Sequence, residues 1–226
     1  MVACARLLRA PRVAFFGTDE FSLASLKALH ASPHVTALTV VCPTDRTTKK
    51  RGVEAAVPVK RFAVANGIEV HHTPLPPVVS LKEWPVPADI AEGGYDVAVV
   101  CSFGYFMPRR VLNCFPQGAL NVHPSLLPQY RGAAPIQHAL MNGDSETGVS
   151  IIEVDPARFD TGAILAQKTV PLRGGDDDTI TYSTLAPALA EMGADMLVKC
   201  VEDLSECRAR AVQQKQKQQQ QKQKQL

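Results

Sequence analysis

Arg12-Val-Ala-Phe-Phe-Gly17 is an apolar run that ends at a glycine, which is the pattern of a short buried strand. Residues 21–30 then carry apolar side chains at helical spacing, with Thr18 or Asp19 as the candidate helix cap. A second run, rich in β-branched residues, follows at 35–42. The order strand, helix, strand predicts a parallel sheet joined by crossover helices.

The rest of the chain continues these two patterns. Further strands are predicted at 68–70, 95–102, 119–123, 149–154 and 163–170, and helices at 58–66, 133–142 and 179–205. The strand at 95–102 is apolar throughout, which predicts a central place in the sheet. Pro187 is expected to kink or divide the last helix. The sequence therefore predicts an α/β fold of the Rossmann-like kind, an open, mostly parallel twisted sheet with helices on both faces.

Composition limits the class of protein. The chain has 226 residues, of which 46% are hydrophobic, enough for one substantial core. The last sixteen residues hold four lysines and no acid, so the net charge of +2 arises there and the remainder carries −2. A broadly basic surface for nucleic acid is therefore excluded, although a local patch is not. The longest apolar stretch, 97–107, is too short to span a membrane.

The two ends differ in composition from the body of the chain. Residues 1–11 contain two arginines and no acid, which fits either a short organelle-targeting segment or an ordinary terminus. Residues 207–226 run into a Gln/Lys-rich sequence without an apolar face, which predicts disorder. We therefore expect one folded domain over 12–206 with a possible targeting segment before it and a disordered tail after it.

The stretch with the most chemistry is 121–132. Asn121 and His123 stand two residues apart at the end of a predicted strand, so they point to the same face. An amide and an imidazole should thus project together near the carboxyl ends of the strands, where open α/β sheets bind ligands. Pro124 and Pro128 should stiffen the loop that follows. This arrangement favours a functional site over a strand end whose polar groups merely satisfy a turn.

A carboxylate, Asp160, lies in a short polar segment between two apolar strands. By itself this residue is compatible with an ordinary Asx turn. Three other kinds of site find little support. A dinucleotide site would need more glycines than Gly17 and no acidic residues after it. Ser125 lies outside any GxSxG elbow, which argues against a serine hydrolase. The six cysteines include no CxxC pair, which indicates reduced thiols rather than a zinc site.

Together these segments resemble the folate-dependent formyltransferase family. The family's hallmark, Asn-x-His followed by Ser-Leu-Leu-Pro and a later Asp-x-Gly, is matched by Asn121-Val-His123, by Ser125-Leu126-Leu127-Pro128 and by Asp160-Thr-Gly162. The segments 129–135 (QYRGAAP) and 143–148 (GDSETG) are similar to the branch that acts on methionyl-tRNA, and Arg158-Phe-Asp160 is similar to its mitochondrial members. The resemblance runs from about residue 12 to residue 206.

This resemblance implies transfer of the formyl group of 10-formyltetrahydrofolate to the α-amino group of methionyl-tRNA, without a metal. Asn121 and protonated His123 would stabilise the oxyanion, and either His123 or Asp160 would relay the proton of the amine. The folate contacts implied are Ser125, Leu126, Leu127, Pro128, Phe103, Gly104 and Tyr105. We also expect a monomer, located in mitochondria or otherwise in the cytoplasm.

The tRNA contact implied by the resemblance is a basic loop. It holds four cations within six residues, Arg46, Lys49, Lys50 and Arg51, although it lacks the family's glycine-rich pattern. A solvated charged loop is the alternative. The family also adds a small C-terminal β-barrel, whereas this sequence becomes Gln/Lys-rich after residue 210, so we expect weakened tRNA binding with an intact transfer site.

Two other functions stay open on the sequence. The same chemistry could serve another acceptor, either water or a purine-pathway ribonucleotide. A truncated folate-binding regulatory protein with little turnover is the alternative from a different class.

Overall fold

A seven-stranded sheet forms the centre of the computed structural model, which describes residues 10–47, 54–74, 80–172 and 180–214. The strands are β1 (Arg12–Gly17), β2 (Ala37–Pro43), β5 (Glu69–Thr73), β6 (Val97–Cys101), β7 (Ala119–His123), β8 (Glu146–Glu153) and β9 (Ile164–Pro171). Their order is β5-β2-β1-β6-β7-β8-β9. All neighbours are parallel up to β7, and β8 and β9 are antiparallel. The predicted open, mostly parallel sheet with a central β6 is confirmed.

A separate pair of two-residue strands, β3 (Arg46–Thr47) and β4 (Glu54–Ala55), was not predicted. The helices are α1 (Glu20–Ala31), α2 (Pro58–Ala65), α3 (Ala88–Ala91), α4 (Arg109–Leu112), α5 (Pro135–Met141), α6 (Tyr182–Glu202) and α7 (Leu204–Ala209). α1 begins where predicted, because the Asp19 carboxylate accepts from the Ser22 N–H at 3.0 Å. Within the described ranges, no helix combines the length and the apolar composition that a membrane crossing requires.

Pro187 does not divide the last helix, which was one of its two expected effects. α6 runs through Pro187 without a break and ends at Glu202, and Asp203 separates it from α7. Pro187 removes one backbone hydrogen bond near the start of the helix. The helix is held by a long buried face that includes Leu189 and Leu197, both fully buried, and this burial outweighs the single lost bond.

Alternation along the strands sends neighbouring residues to opposite faces of the sheet. Phe15 belongs to the buried cluster that also contains Leu26 of α1 and Leu189 of α6. Phe16 points to the other face, where its ring meets Trp84, Phe103 and Phe115 edge-on. Short helices α3 and α4 contribute Ile90 and Val111 to this second core. Helices therefore cover both faces, as predicted, but unequally.

Residues 207–214 correct the expected boundary of the disordered tail. α7 continues to Ala209, and Val212 then exchanges two backbone hydrogen bonds of 2.9 Å with Ile164 of β9. A sheet edge offers unpaired N–H and C=O groups, so a polar segment can pair with it without an apolar face of its own. The rest of the predicted tail, 215–226, and residues 1–9 of the possible targeting segment lie outside the described residues.

The cysteines fit the interpretation of reduced thiols. Five of them fall in described segments, and all five are free. Burial raises the pKa of the Cys42 and Cys200 thiols to about 12. These two groups are therefore neutral thiols at physiological pH, which makes them poor nucleophiles.

Candidate active site

β7 carries Asn121 and His123 on one face of the sheet. Asn121 lies between Val100 of β6 and Ile152 of β8, and His123 lies opposite Ser150 of β8. Val100, Asn121 and Ile152 line one cavity, which therefore opens on the face of the sheet near the carboxyl ends of β6 and β7. The same-face placement predicted from the sequence is what the register produces.

Asp160 reaches this face from a different direction. β8 runs antiparallel to β7, so its last residue, Glu153, sits beside Leu120 at the start of β7. The connection 154–163 folds back across the sheet to bring Asp160 to Asn121. Gly162 permits the return, because a Cβ there would lie 1.8 Å from the Glu153 carbonyl oxygen.

Asp155 organises the same connection. Its carboxylate accepts from the Ala157 N–H at 2.7 Å and from the Thr161 hydroxyl at 2.9 Å. These bonds favour the charged form, the Ala157 bond most of all, and so lower the pKa of Asp155 below its ordinary value. The charged Asp155 carboxylate therefore stabilises the connection fully at any pH above the ordinary pKa of an aspartate. This stabilisation is lost as the pH falls through the lowered pKa of Asp155.

The three predicted side chains converge. The Asn121 amide donates to Asp160 Oδ1 at 3.0 Å, and the Gly132 N–H donates to Asp160 Oδ2 at 2.8 Å. His123 Nδ1 stands 3.7 Å from the same Oδ2. Only 7% of the His123 side chain and 9% of the Asp160 side chain is exposed, so their electrostatic interaction is weakly screened.

The hydrogen bonds of His123 assign different roles to its two ring nitrogens. Nε2 lies 2.9 Å from the Tyr130 carbonyl, which can only accept, so Nε2 carries a hydrogen. Nδ1 then faces the Asp160 carboxylate. Tyr130 is itself fixed, since its hydroxyl donates to Asp144 at 2.6 Å and its ring stacks on His138.

The loop after His123 is tied inward. Ser125 is fully buried and its hydroxyl donates to the Gln129 carbonyl at 2.7 Å, which closes the loop on itself. Ser150 of β8 accepts from the Leu127 N–H at 3.2 Å and donates to the Ser125 carbonyl at 2.6 Å. Gln167 of β9 adds a bond of 3.0 Å to the Leu127 carbonyl. Ser125 and Leu127, expected to touch folate, thus have side chains directed into the protein, whereas Leu126 and Pro128 are partly exposed.

Replacing Ser150 by alanine is expected to lower the free energy of unfolding by about 2–4 kcal/mol, because two backbone groups of the loop lose their buried partner. Urea unfolding of the wild-type and variant chains measures this. Ser25→Ala is the matched control, since that fully buried hydroxyl contacts the Cys101 sulfur at 4.0 Å, and it should cost less than about 1 kcal/mol. Equal losses in the two variants would show that the loop does not depend on Ser150.

The cavity beside Asn121 and Asp160 measures about 50 Å³ and is mainly apolar. Its lining includes Tyr105, Phe106 and Phe159, and the last two rings meet edge-on at 5.3 Å. This volume is well below the roughly 300–1,000 Å³ usual for small-molecule sites, so a flat heterocycle can enter only if the lining side chains move apart. Residues 103–105 were predicted to bind folate, and of these three only Tyr105 lines this slot. Phe103 is buried against Phe16, and Gly104 is solvent-exposed.

The structure describes only one of the four cations of the predicted basic loop, and only its backbone. The backbone of Arg46 pairs with Ala55 in the two-stranded ribbon of β3 and β4. Lys49, Lys50 and Arg51 lie outside the described residues.

Comparison with known proteins fits this geometry. A family model described as formyl transferase matches residues 11–201. The chain belongs to the formyl transferase family. The chain is 38% identical, over 90% of its length, to mitochondrial methionyl-tRNA formyltransferase of Homo sapiens, and it covers 48% of that relative. It is 40% identical to methionyl-tRNA formyltransferase of Ruegeria pomeroyi, over 86% of this chain and 61% of that one. The chain thus spans about half the length of its mitochondrial relatives.

Solved structures agree on the fold. Phosphoribosylglycinamide formyltransferase from Bacillus halodurans superposes with a TM-score of 0.66 at 22% identity, over 85% of this chain and 94% of that chain. The enzyme of the same name from Anaplasma phagocytophilum gives a TM-score of 0.65. The Rossmann-like sheet of this chain is therefore shared with these proteins.

Several residues that shape the site were not predicted. The Tyr130 carbonyl and the Gly132 N–H act through the backbone, and a side-chain pattern gives no signal for them. Ser150 lies between the apolar residues Val149 and Ile151 of β8, and Gln167 lies in β9. Gln214 belongs to the Gln-rich run that was expected to be disordered, yet its side chain bonds to the backbone of Asp160.

Proposed function

We propose that this formyl transferase moves the formyl group of 10-formyltetrahydrofolate to the α-amino group of methionyl-tRNA, a reaction of translation initiation. The observation that carries the proposal is the buried Asp160 carboxylate, bonded to Asn121 and 3.7 Å from His123 Nδ1. Its second support is the 38% identity to the mitochondrial methionyl-tRNA formyltransferase of Homo sapiens.

In the proposed reaction the α-amino nitrogen forms a bond with the formyl carbon, and the carbonyl oxygen becomes an oxyanion. One N–H of the Asn121 amide donates to Asp160, so the amide is held in a fixed orientation and its other N–H can donate to the oxyanion. Once His123 has taken up the proton of the amine, it adds a positive charge beside the oxyanion. Donors fixed in advance in this way are worth roughly 3–4 kcal/mol of transition-state stabilisation each.

The proton of the attacking amine goes to the His123–Asp160 pair. Nδ1 is the ring atom that faces the carboxylate, because Nε2 is committed to the Tyr130 carbonyl. The C–N bond to the folate nitrogen then breaks, and that nitrogen takes up the proton as tetrahydrofolate leaves. Charge is thereby conserved within the pair over one turnover.

The folate heterocycle is proposed to enter between Tyr105, Phe106 and the exposed Phe159, whose movement would widen the present slot. Leu126 and Pro128 are proposed as further contacts. The tRNA phosphates are proposed to meet the basic loop that contains Arg46. A mitochondrial location is part of the proposal, supported by the mitochondrial relatives and by the arginines of residues 1–11.

The test is a formylation assay with the full chain, 10-formyltetrahydrofolate and saturating methionyl-tRNA under single-turnover conditions. We expect formylmethionyl-tRNA and tetrahydrofolate to form in equal amounts. Tetrahydrofolate released equally fast without tRNA would indicate a hydrolase. Preferential formylation of a purine-pathway ribonucleotide would indicate another acceptor, and folate binding without any turnover would indicate a regulatory protein. Each of these three results contradicts the proposal.

A further inference from the structure

The Gln214 side chain makes the four hydrogen bonds that an amide can readily form. Its nitrogen Nε2 donates to the Asp160 carbonyl at 2.9 Å and to the Gly162 carbonyl at 2.8 Å. Its oxygen Oε1 accepts from Nε and Nη2 of Arg131 at 3.0 and 2.7 Å. This half-buried amide is therefore held on both sides by particular partners.

Those partners belong to two segments that position the Asp160 carboxylate, one around Arg131 and the other at residues 160–162. Arg131 directly precedes Gly132, whose N–H donates to Asp160 Oδ2. Asp160 itself has a φ of +54°, a left-handed conformation that is unfavourable for a residue with a side chain. Gln214 binds the backbone carbonyl of Asp160 and also the side chain of Arg131, the residue before Gly132. It therefore fixes the direction of the Asp160 carboxylate.

Gln214 is delivered to this place by the ordered part of the C-terminal segment. The paired backbone of Val212 and Ile164 anchors the chain two residues before it. The segment lies beyond the 11–201 span of the family match, and its composition is that of a polar tail. The neighbouring Gln213 is exposed, so two adjacent residues of the same type have different surroundings.

We propose that Gln214 is a positioning residue that orients the Asp160 carboxylate toward Asn121 and His123. This inference rests on the proposed transfer reaction for its catalytic consequence, and on geometry alone for its structural one. Gln214 does not touch the reacting atoms, so its loss acts on the rate of the chemical step and leaves binding of the formyl donor unchanged.

The first test compares Gln214→Met, Gln214→Glu and the control Gln213→Met in steady-state formyl transfer. Gln214→Met should lower kcat about 10- to 100-fold with KM for the formyl donor within about twofold, as expected when a catalytic group is displaced by a fraction of an ångström. Gln214→Glu keeps the acceptor for Arg131 but turns a carboxylate toward two carbonyls, so it should fail similarly. Full activity in Gln214→Glu, or an equal loss in Gln213→Met, would overturn the proposal.

The second test does not depend on catalysis. Amide hydrogen exchange of the unliganded chain reports the Gly132 N–H, which is protected by Asp160 Oδ2. Its exchange should accelerate at least about tenfold in Gln214→Met and stay unchanged in Gln213→Met. If the wild-type chain transfers no formyl group, the proposed function fails, but the exchange result still tests whether Gln214 positions Asp160. Unchanged Gly132 exchange in Gln214→Met would show that it does not.

Discussion

The His123→Ala variant is expected to transfer formyl groups about 10³-fold more slowly than the wild-type chain, measured as kcat at saturating donor and tRNA. The substitution removes the only ring nitrogen that faces Asp160, since Nε2 is held by the Tyr130 carbonyl. It therefore removes both a proton acceptor for the amine and a positive charge beside the developing oxyanion. KM for the formyl donor should change little, because the interaction is made mainly in the transition state.

His34→Ala is the matched control for this variant. That histidine is 42% exposed and pairs with Glu202 at 3.1 Å, on the part of the chain that precedes β2. Its removal should leave kcat within about twofold, as is usual for exposed side chains far from the chemistry. A His123→Ala variant that retained kcat within about fivefold of wild type would remove His123 from the mechanism.

Asp160→Asn is the second variant with a large expected effect, a fall of about 10³-fold in kcat. The shape of the side chain is kept while its charge is lost. The wild-type carboxylate accepts from Asn121 on one oxygen and from Gly132 on the other. Asparagine has one acceptor oxygen, so its NH₂ group must face one of these donors and the arrangement of Asn121 or Gly132 is disturbed as well.

Asp195→Asn makes the same charge change on the exposed side of α6 and should leave formyl transfer unaffected. Urea unfolding of both variants separates loss of chemistry from loss of folding. If Asp160→Asn kept wild-type kcat while unfolding normally, the carboxylate would be needed only as a turn residue.

Sequence patterns located most of the fold and the three central side chains. Alternation in Phe15 and Phe16 and the apolar run of β6 follow from burial on two faces, so a period-two pattern is sufficient to predict them. Asn121 and His123 were placed on one face by the same periodicity. That these two residues lie close to Asp160 was implied only by the family resemblance. Asn121 and Asp160 are 39 residues apart in the sequence, and no local pattern predicts a contact at that separation.

The features that sequence did not reveal arise from tertiary contacts. The continuity of α6 through Pro187 depends on burial that outweighs a local preference. The order of residues 207–214 depends on the free edge of β9, which a composition argument does not include. The inward direction of Ser125 depends on Gln129 and Ser150, whose positions are set by the loop and by the neighbouring strand.

The most direct measurement is a double-mutant cycle on the single-turnover rate of formyl transfer with His123→Ala, Asp160→Asn and the two changes combined. If the imidazole and the carboxylate handle one proton as a pair, the combined variant will react within about threefold of the slower single variant. Two losses that instead multiply, to about 10⁶-fold, would mean that the two groups act in separate steps and would contradict the shared site.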